Sequence, residues 1–433
     1  MSDFFQNGTI TTLHDLGDRS TESYEDALVT FSQKRPIGLI LPSLYSELGT
    51  EALPNIVKEL TRVPYLSQVV IGLDRADQSE YQHAIDFFGQ LPQHHRVLWN
   101  DGPRLRAIDQ RLQEAGLAPR ELGKGRNVWY CMGYALATAK ADAIALHDCD
   151  ILTYDRSLLA RLVYPVANPL FNYEFCKGYY PRVADNKING RVCRLLVTPM
   201  IRAMKRVVGD SQYLAYLDSY RYILAGEFAF RRELLNDLRI PSDWGLEIGV
   251  VSEVYRSNNN RQICQVDIAH NYDHKHQNLS LDDATLGLSR MSMDIAKSIF
   301  RKLAIQGTVF NQETFRTIKA TYYRIALDLV DQDVSVLVGT RRDDLTAGPH
   351  AYAREVTVVV DELAVIAERV RTQITKELER AGVGRAGRER SINRHARAPQ
   401  RGTSPLPGHD AAGTRRAEER GPTARSPVGA RPS

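Results

Sequence analysis

The sequence has no apolar run long enough to span a bilayer. Its start, Met1-Ser2-Asp3-Phe4-Phe5-Gln6-Asn7-Gly8, lacks the basic region and apolar stretch of a secretory leader. Membrane insertion and secretion are therefore disfavoured, and a cytoplasmic location is expected. Cysteine is scarce: Cys131, Cys149, Cys176, Cys193 and Cys264 are odd in number and show no Cys-x-x-Cys spacing, which argues against a disulfide framework and a zinc site. The Gly-x-x-x-x-Gly-Lys-[Ser/Thr] spacing of a Walker loop is also missing. Excess positive charge is missing from the body of the chain, because the formal +4 is concentrated in about the last fifty residues, where no aromatic platform is interleaved with the arginines. No nucleic-acid partner and no membrane partner are expected.

What is present is an ordinary globular composition, 43% hydrophobic and 25% charged over 433 residues, enough for one large or two medium domains. Residues 1–35 are polar and irregular apart from a short amphipathic stretch at 23–32, and they are expected to form an N-terminal arm. Ile37-Gly38-Leu39-Ile40-Leu41 is a buried strand, followed by a helix over 50–61 with Ala52, Leu53, Ile56, Val57 and Leu60 at helical spacing. A second strand at 68–73 ends at Asp74, a helix covers 79–88, a third strand covers 96–99, and a helix over 127–140 feeds the strand Ala143–Leu146. Strands alternating with helices imply a mainly parallel sheet flanked by helices, an α/β layer fold of the nucleotide-binding kind.

The chain turns on His147-Asp148-Cys149-Asp150, an Asp-x-Asp directly after the apolar run Ala143–Leu146. Such a strand places two hard oxygen ligands at the carboxyl edge of the sheet, where open α/β folds bind ligands. A lone Asp-x-Asp is equally a solvated turn, so its neighbours matter. Pro42-Ser43-Leu44-Tyr45-Ser46-Glu47 follows the first strand onto the same edge and is suited to a base or ribose, or is simply a polar turn. Asp74 ends the second strand and can accept a hydrogen bond from a ribose or base. Gly123-Lys124-Gly125-Arg126 opens a helix, where close backbone approach, a helix N-terminus and the Lys124 charge favour a phosphate.

This ordered set resembles nucleotide-sugar-dependent glycosyltransferases of the A-type fold. The second half sharpens the likeness. Phe175-Cys176-Lys177-Gly178-Tyr179-Tyr180-Pro181-Arg182, Asn189-Gly190-Arg191-Val192, Leu224-Ala225-Gly226-Glu227-Phe228, Asp243-Trp244-Gly245-Leu246-Glu247-Ile248-Gly249 and the run from His270 to His276 are similar to successive motifs of the glucosyl-3-phosphoglycerate synthase family. The resemblance covers residues 36–305, with 36–150 as the nucleotide-sugar half and 151–305 as the acceptor half. It implies a retaining enzyme that joins glucose from UDP- or GDP-glucose to 3-phosphoglycerate, a route to the compatible solute glucosylglycerate. Mannosylglycerate synthases share Asp-x-Asp and Asp-Trp-Gly, so mannosyl transfer to glycerate or phosphoglycerate is the alternative. A nucleotide-sugar-binding protein without catalysis is a second one.

The resemblance also implies roles. A departing diphosphate calls for Mg²⁺ or Mn²⁺, with Asp150 as the main ligand and Asp148 either chelating or holding the ribose. A histidine after the Trp244-Gly245 helix completes the metal site in the family; His270, His274 and His276 are candidates, and His274 is preferred. Pro42, Ser43, Leu44, Ser46, Glu47, Asp74, Lys124, Asp148, Cys149 and Glu247 are expected around the nucleotide sugar, with Ser46 standing where relatives can carry an acidic residue. Gly190, Arg191, Val192 and Cys193, with Lys177, Tyr179 and Arg182, are expected around the doubly anionic acceptor, for which the arginine fork is well shaped. Cys193 replaces a threonine common in the family. Glu227 is expected to support the transferred sugar or orient the acceptor. Retention is expected by front-face attack, the leaving diphosphate taking the acceptor proton.

Beyond the motifs, three helices are expected, over 282–305, 311–333 and 353–379. The last carries the apolar stripe Val356, Val359, Val360, Leu363, Ile366, Val370 and Ile374, so residues 306–380 form a helical extension that packs on the catalytic domain or contacts a second subunit. The resemblance implies a homodimer. Residues 381–433, rich in Arg, Gly and Pro with almost no large apolar side chains, are expected to be a disordered tail.

Overall fold

Nearly unbroken apolar runs make strands that can only be buried on both faces, and that demand decides the architecture. A computed structural model describes residues 8–15, 19–117, 123–184, 187–188, 190, 192–274 and 287–340, with backbone alone at 183–184, 187–188, 287–289 and 330–340. In chain order the elements are β1 (Thr11–Leu13), α1 (Thr21–Ser32), β2 (Ile37–Leu44), α2 (Ala52–Leu60), β3 (Leu66–Asp74), α3 (Gln78–Phe88), β4 (His95–Trp99), α4 (Pro103–Glu114), α5 (Lys124–Thr138), β5 (Ala143–Leu146) and α6 (Arg156–Ala167). There follow β6 (Phe175–Tyr179), the small antiparallel pair β7 (Val183–Ala184) and β8 (Lys187–Ile188), α7 (Thr198–Val208), α8 (Gln212–Asp218), β9 (Phe228–Arg231), α9 (Leu246–Ser257), β10 (Ile263–Asp267), α10 (Gly287–Ile305) and α11 (Gln312–Thr340).

Eight strands form one sheet in the order β1-β10-β6-β9-β5-β2-β3-β4. Every pair is parallel except those made by β9, which runs antiparallel between β5 and β6. Alternate residues of each strand point to opposite faces. On one face Ile40, Val70, Ile144, Phe228 and Ile263 pack with α5 and with α7 to α11. On the other Leu39, Ile71, Ala145, Ala229 and Cys264 pack with α1, α2, α3 and α6. Pro42 is tolerated inside β2 because β5 pairs only with Ile37 to Ile40, so the missing N–H leaves that ladder intact.

The expected strand at 143–146 is β5, and the helices at 50–61 and 79–88 are α2 and α3. Among the described residues of 1–35, the amphipathic stretch at 23–32 falls in α1, and the strand β1 is the departure from expectation. The edge strand β1 pairs Thr11 with Cys264, and Ser20 caps α1 by accepting from the Ser23 amide at 3.2 Å. Thr11-Thr12-Leu13 is too short a run to announce a strand, and β1 exists because β10 offers it an edge. Helix α10 begins at Gly287, and α11 matches the helix expected at 311–333. The helix expected at 353–379 and the tail at 381–433 lie outside the described residues. Helix α11 packs on α7 through Ile318, Tyr322, Ile325 and Ala326, and the Tyr322 hydroxyl donates to the Leu195 carbonyl at 2.8 Å. That part of the extension therefore lies on its own catalytic domain.

Candidate active site

The antiparallel strand explains why distant motifs meet. The parallel strands β2, β3 and β5 deliver their carboxyl ends to one edge of the sheet, and β9, running the other way, delivers its start there. Leu146 pairs with Phe228, so Asp148 comes to lie against Gly226. A Cβ on Gly226 would stand 2.2 Å from Asp148 Oδ2, so any side chain there would displace the Asp148 carboxylate. Asp148 Oδ1 is 2.6 Å from Lys124 Nζ, which also donates to Glu247 Oε1 at 3.0 Å. Lys124 and Glu247 are brought together by close approach of α5 to the turn before α9: a Cβ on Gly125 would lie 2.1 Å from the Pro241 carbonyl oxygen. Burial works against a charged Lys124, but Asp148 and Glu247 outweigh it and hold the ammonium protonated. Burial raises the Asp148 carboxyl despite the same lysine.

Asp150 points to a different partner. His274 forms an isolated antiparallel bridge with Ile151, fixed by the Leu152 amide donating to the Asp273 carbonyl at 2.9 Å, and its Nδ1 stands 3.4 Å from Asp150 Oδ2. Burial would raise the Asp150 carboxyl, yet the hydrogen bond and charge of His274, with Lys124, hold it below its ordinary value. His270 is instead an exposed side chain, 3.5 Å from Asp15, and His276 lies outside the described residues. Among the described residues no three His, Cys, Asp or Glu side chains converge as a complete metal cage. One carboxylate and one imidazole, with Asp148 tied to Lys124, suit a hard cation that takes its remaining positions from phosphate oxygens and water.

Glu227 is fully buried, and both its oxygens are taken. It accepts from the Tyr272 hydroxyl at 2.7 Å and from the Tyr180 hydroxyl at 2.8 Å, and the two rings stack at 3.6 Å. Burial and the neighbouring Asp148 push its carboxyl up, against the two hydroxyls. Tyr180 and Tyr272 were not among the expected site residues. The alternation along β6 is the signal for Tyr180, since it must point opposite to Tyr179. Tyr179 itself turns to β1, with its hydroxyl 3.0 Å from His14 Nδ1, and so does not line an acceptor cavity. Lys177 is likewise not at an open cavity. It is 1% exposed, donates to the Ala225 carbonyl and lies over the Phe228 ring, and burial pushes its ammonium down to about 8.

The remaining expected residues fall into three groups. At the end of β2 Pro42 and Ser43 are buried, and in the turn that follows Ser46 is exposed. The Glu47 carboxylate braces the turn through one oxygen, Oε2, which accepts from the Leu44 amide at 3.0 Å and Ser43 Oγ at 3.1 Å; burial pushes it up to about 7. Cys149 is buried in the core beside them. Asp74 is also occupied, 3.6 Å from Arg126 and accepting from Asn100. Arg126 is a buried hub that sequence reasoning passed over, gripping Asp109 at 3.2 Å as well, beside a polar cavity of about 320 Å³ lined in part by Asn100, Asp101, Arg106 and Asp109. On the acceptor side, Gly190 has φ +82° and sits against Tyr222, whose hydroxyl accepts from Arg182 at 3.1 Å. Arg191 lies outside the described residues. Val192 and Cys193 begin a π-helical turn, Val192–Val197, with side chains packed in the core, leaving only their backbone for a ligand.

No family model matches the chain. It is 45% identical over 365 residues to the glucosyl-3-phosphoglycerate synthase of Persephonella marina, covering 84% of this chain and 89% of that protein. It is 37% identical over 333 residues to the glucosyl-3-phosphoglycerate synthase of Methanococcoides burtonii, covering 76% and 80%. Among solved structures it is similar to mannosyl-3-phosphoglycerate synthase from Rubrobacter xylanophilus, with a TM-score of 0.51 and 19% identity over 70% of this chain and 83% of that one. It also matches glucosyl-3-phosphoglycerate synthase from Mycobacterium tuberculosis in complex with Mn²⁺, UDP-glucose and phosphoglyceric acid, with a TM-score of 0.49 and 20% identity over 68% and 87%. The Rubrobacter likeness shows the shared glycosyltransferase A-type fold. The identity to the two curated relatives, spread over most of each chain, shows more than a fold: this chain belongs to the glucosyl-3-phosphoglycerate synthase family.

Proposed function

We propose that the protein is a retaining glucosyltransferase that moves glucose from UDP- or GDP-glucose to 3-phosphoglycerate, yielding glucosyl-3-phosphoglycerate for glucosylglycerate synthesis. The relatives that support this carry that activity in their names. The observation that carries it is the pairing of Asp150 with His274 at 3.4 Å, beside the Lys124 ammonium, on the carboxyl edge of the sheet. Asp150 and His274 would hold Mg²⁺ or Mn²⁺, which when bound neutralises charge developing on the leaving diphosphate.

The chain's own groups account for the rest. Lys124, at the first turn of α5, supplies a preset positive charge near the diphosphate, with Asp148 and Glu247 fixing its direction. The end of β2 and the turn after it, Pro42 to Glu47, braced by the Glu47 carboxylate, and the end of β3 flank the nucleoside. The Gly190 and Arg191 segment receives the acceptor's anionic groups, with Arg182 held nearby by Tyr222. Glu227, buried and accepting one tyrosine hydroxyl on each oxygen, is not asked to act as a nucleophile in this reading, in which transfer is front-face and the leaving diphosphate takes the acceptor proton. Phosphorylated substrates fit a cytoplasmic location, and no helix among the described residues is long and apolar enough to cross a membrane. A homodimer is implied by the family resemblance and is measured by sedimentation.

The test is product formation by mass spectrometry. Purified protein is incubated with UDP-glucose, GDP-glucose or GDP-mannose and with 3-phosphoglycerate or glycerate, with Mg²⁺ or chelator. A chelator-sensitive glucosyl-phosphoglycerate is expected, and the reaction identifies the donor nucleotide. Mannosyl product alone, or bound nucleotide sugar without transfer, overturns the reading.

A further inference from the structure

Glu227 looks like a sugar-contacting carboxylate in the sequence, but its surroundings assign it other work. It has no exposure, and each oxygen accepts a short hydrogen bond from a tyrosine. The Tyr272 ring is clamped on its other side by Tyr180, with centroids 3.6 Å apart and planes 6° from parallel, and the Tyr272 amide donates to the Pro181 carbonyl at 3.2 Å. Two residues later the chain delivers His274 to Asp150, with the Tyr272 and His274 rings 5.8 Å apart at 66°. The segment between is short, so a shift of Tyr272 moves His274.

The geometry points to Glu227 as a positioning residue for the metal-binding pair, acting through Tyr272 on His274 and never touching the transferred sugar. The physical reason is economy of freedom. His274 lies in an irregular stretch whose contacts with the body include the bridge to Ile151 and the Thr153 hydroxyl's bonds with Asn271 and Asp273, and a metal ligand must be placed within a few tenths of an ångström. A buried carboxylate just ahead of β9, tied to Tyr272, adds a rigid anchor to that frame. Because β9 also carries Gly226 against Asp148, one strand sets both sides of the cation site. Partners of metal ligands commonly change metal affinity by about 10- to 100-fold when removed.

This inference rests on Asp150 and His274 holding the cation, and the experiment separates the two. Mn²⁺ is titrated into the full chain and free Mn²⁺ is followed by electron paramagnetic resonance, for wild type, Glu227→Gln, Tyr272→Phe and His274→Ala. Tyr272→Phe keeps the stacked ring and loses only the hydroxyl, so it serves if Glu227→Gln fails to fold by circular dichroism. The expected result is a Mn²⁺ dissociation constant raised about 10- to 100-fold in Glu227→Gln and Tyr272→Phe, a larger change than in kcat at saturating Mn²⁺. Unchanged Mn²⁺ binding in both, with His274→Ala weakened, overturns the positioning role and leaves the metal pair standing. Unchanged binding in His274→Ala overturns the metal pair itself, and the inference with it.

Discussion

Glu47 and Gly226 show how single residues shape the site through their own neighbours. Glu47 lies in the family-like Pro-x-Leu-x-x-Glu stretch and was legible as important. One oxygen of its carboxylate nevertheless serves its own turn, because a half-buried acid takes the nearest amide and hydroxyl donors. The folded-state value of about 7 lies above the ordinary 4.5, so the folded protein holds an extra proton between them. Glu47's contribution to stability is therefore full below pH 4.5 and lost as pH rises through 7. Between pH 5.5 and 8 this is worth about 2 kcal/mol. Urea denaturation at those two pH values is expected to show wild type losing about 2 kcal/mol more than Glu47→Gln. Gly226 was legible only as part of a motif; its reason, the Asp148 carboxylate at 2.2 Å from any added Cβ, needs the β5 and β9 register. Gly226→Ala is expected to cost about 1–3 kcal/mol in thermal unfolding and to lower kcat by a factor of about 100.

At the scale of elements, legibility followed burial. Strands β2, β3 and β5 announced themselves as apolar runs because both faces are covered, and α2 did so through its apolar stripe. Helix α4 has none of its residues buried, and its pattern is a thin stripe of Leu105, Ile108 and Leu112 among charged side chains, with Pro103 marking its first turn. Strand β9 is four residues long and its direction is not written in its composition. That single reversal places Glu227 at the same edge as Asp150. The start of α11 was legible, but its partner α7 was not. Tyr322 ties α11 to the Leu195 carbonyl, in the turn that follows the acceptor motif. Tyr322→Phe removes that buried hydrogen bond and is expected to cost about 1–2 kcal/mol in chemical denaturation.

At the scale of the whole molecule, the chain divides its tasks along its length. The described residues fall within one compact unit, Met1–Lys376. The sequence beyond 380 has the composition of a segment that cannot build a core. Deleting residues 381–433 is expected to leave kcat/KM for both substrates within about twofold, a steady-state measurement in which a large loss would give the tail a catalytic part. Acceptor recognition should sit in the body: Arg191→Ala is expected to raise the acceptor KM at least about tenfold and the donor KM little.

The parallel pairing of β1 with β10 has a consequence in time. Thr12 accepts from the Gln265 side chain across 253 residues. At ribosomal speeds of about 5–20 residues per second, the first strand made waits for tens of seconds until its neighbour exists. Strands β2 to β5 can assemble early, whereas the amino-terminal segment and the half of the sheet beyond β9 close late. A nascent chain stalled before residue 263 thus presents an unzipped sheet edge to the ribosome's surroundings, and it is at that stage that chaperones have most to hold.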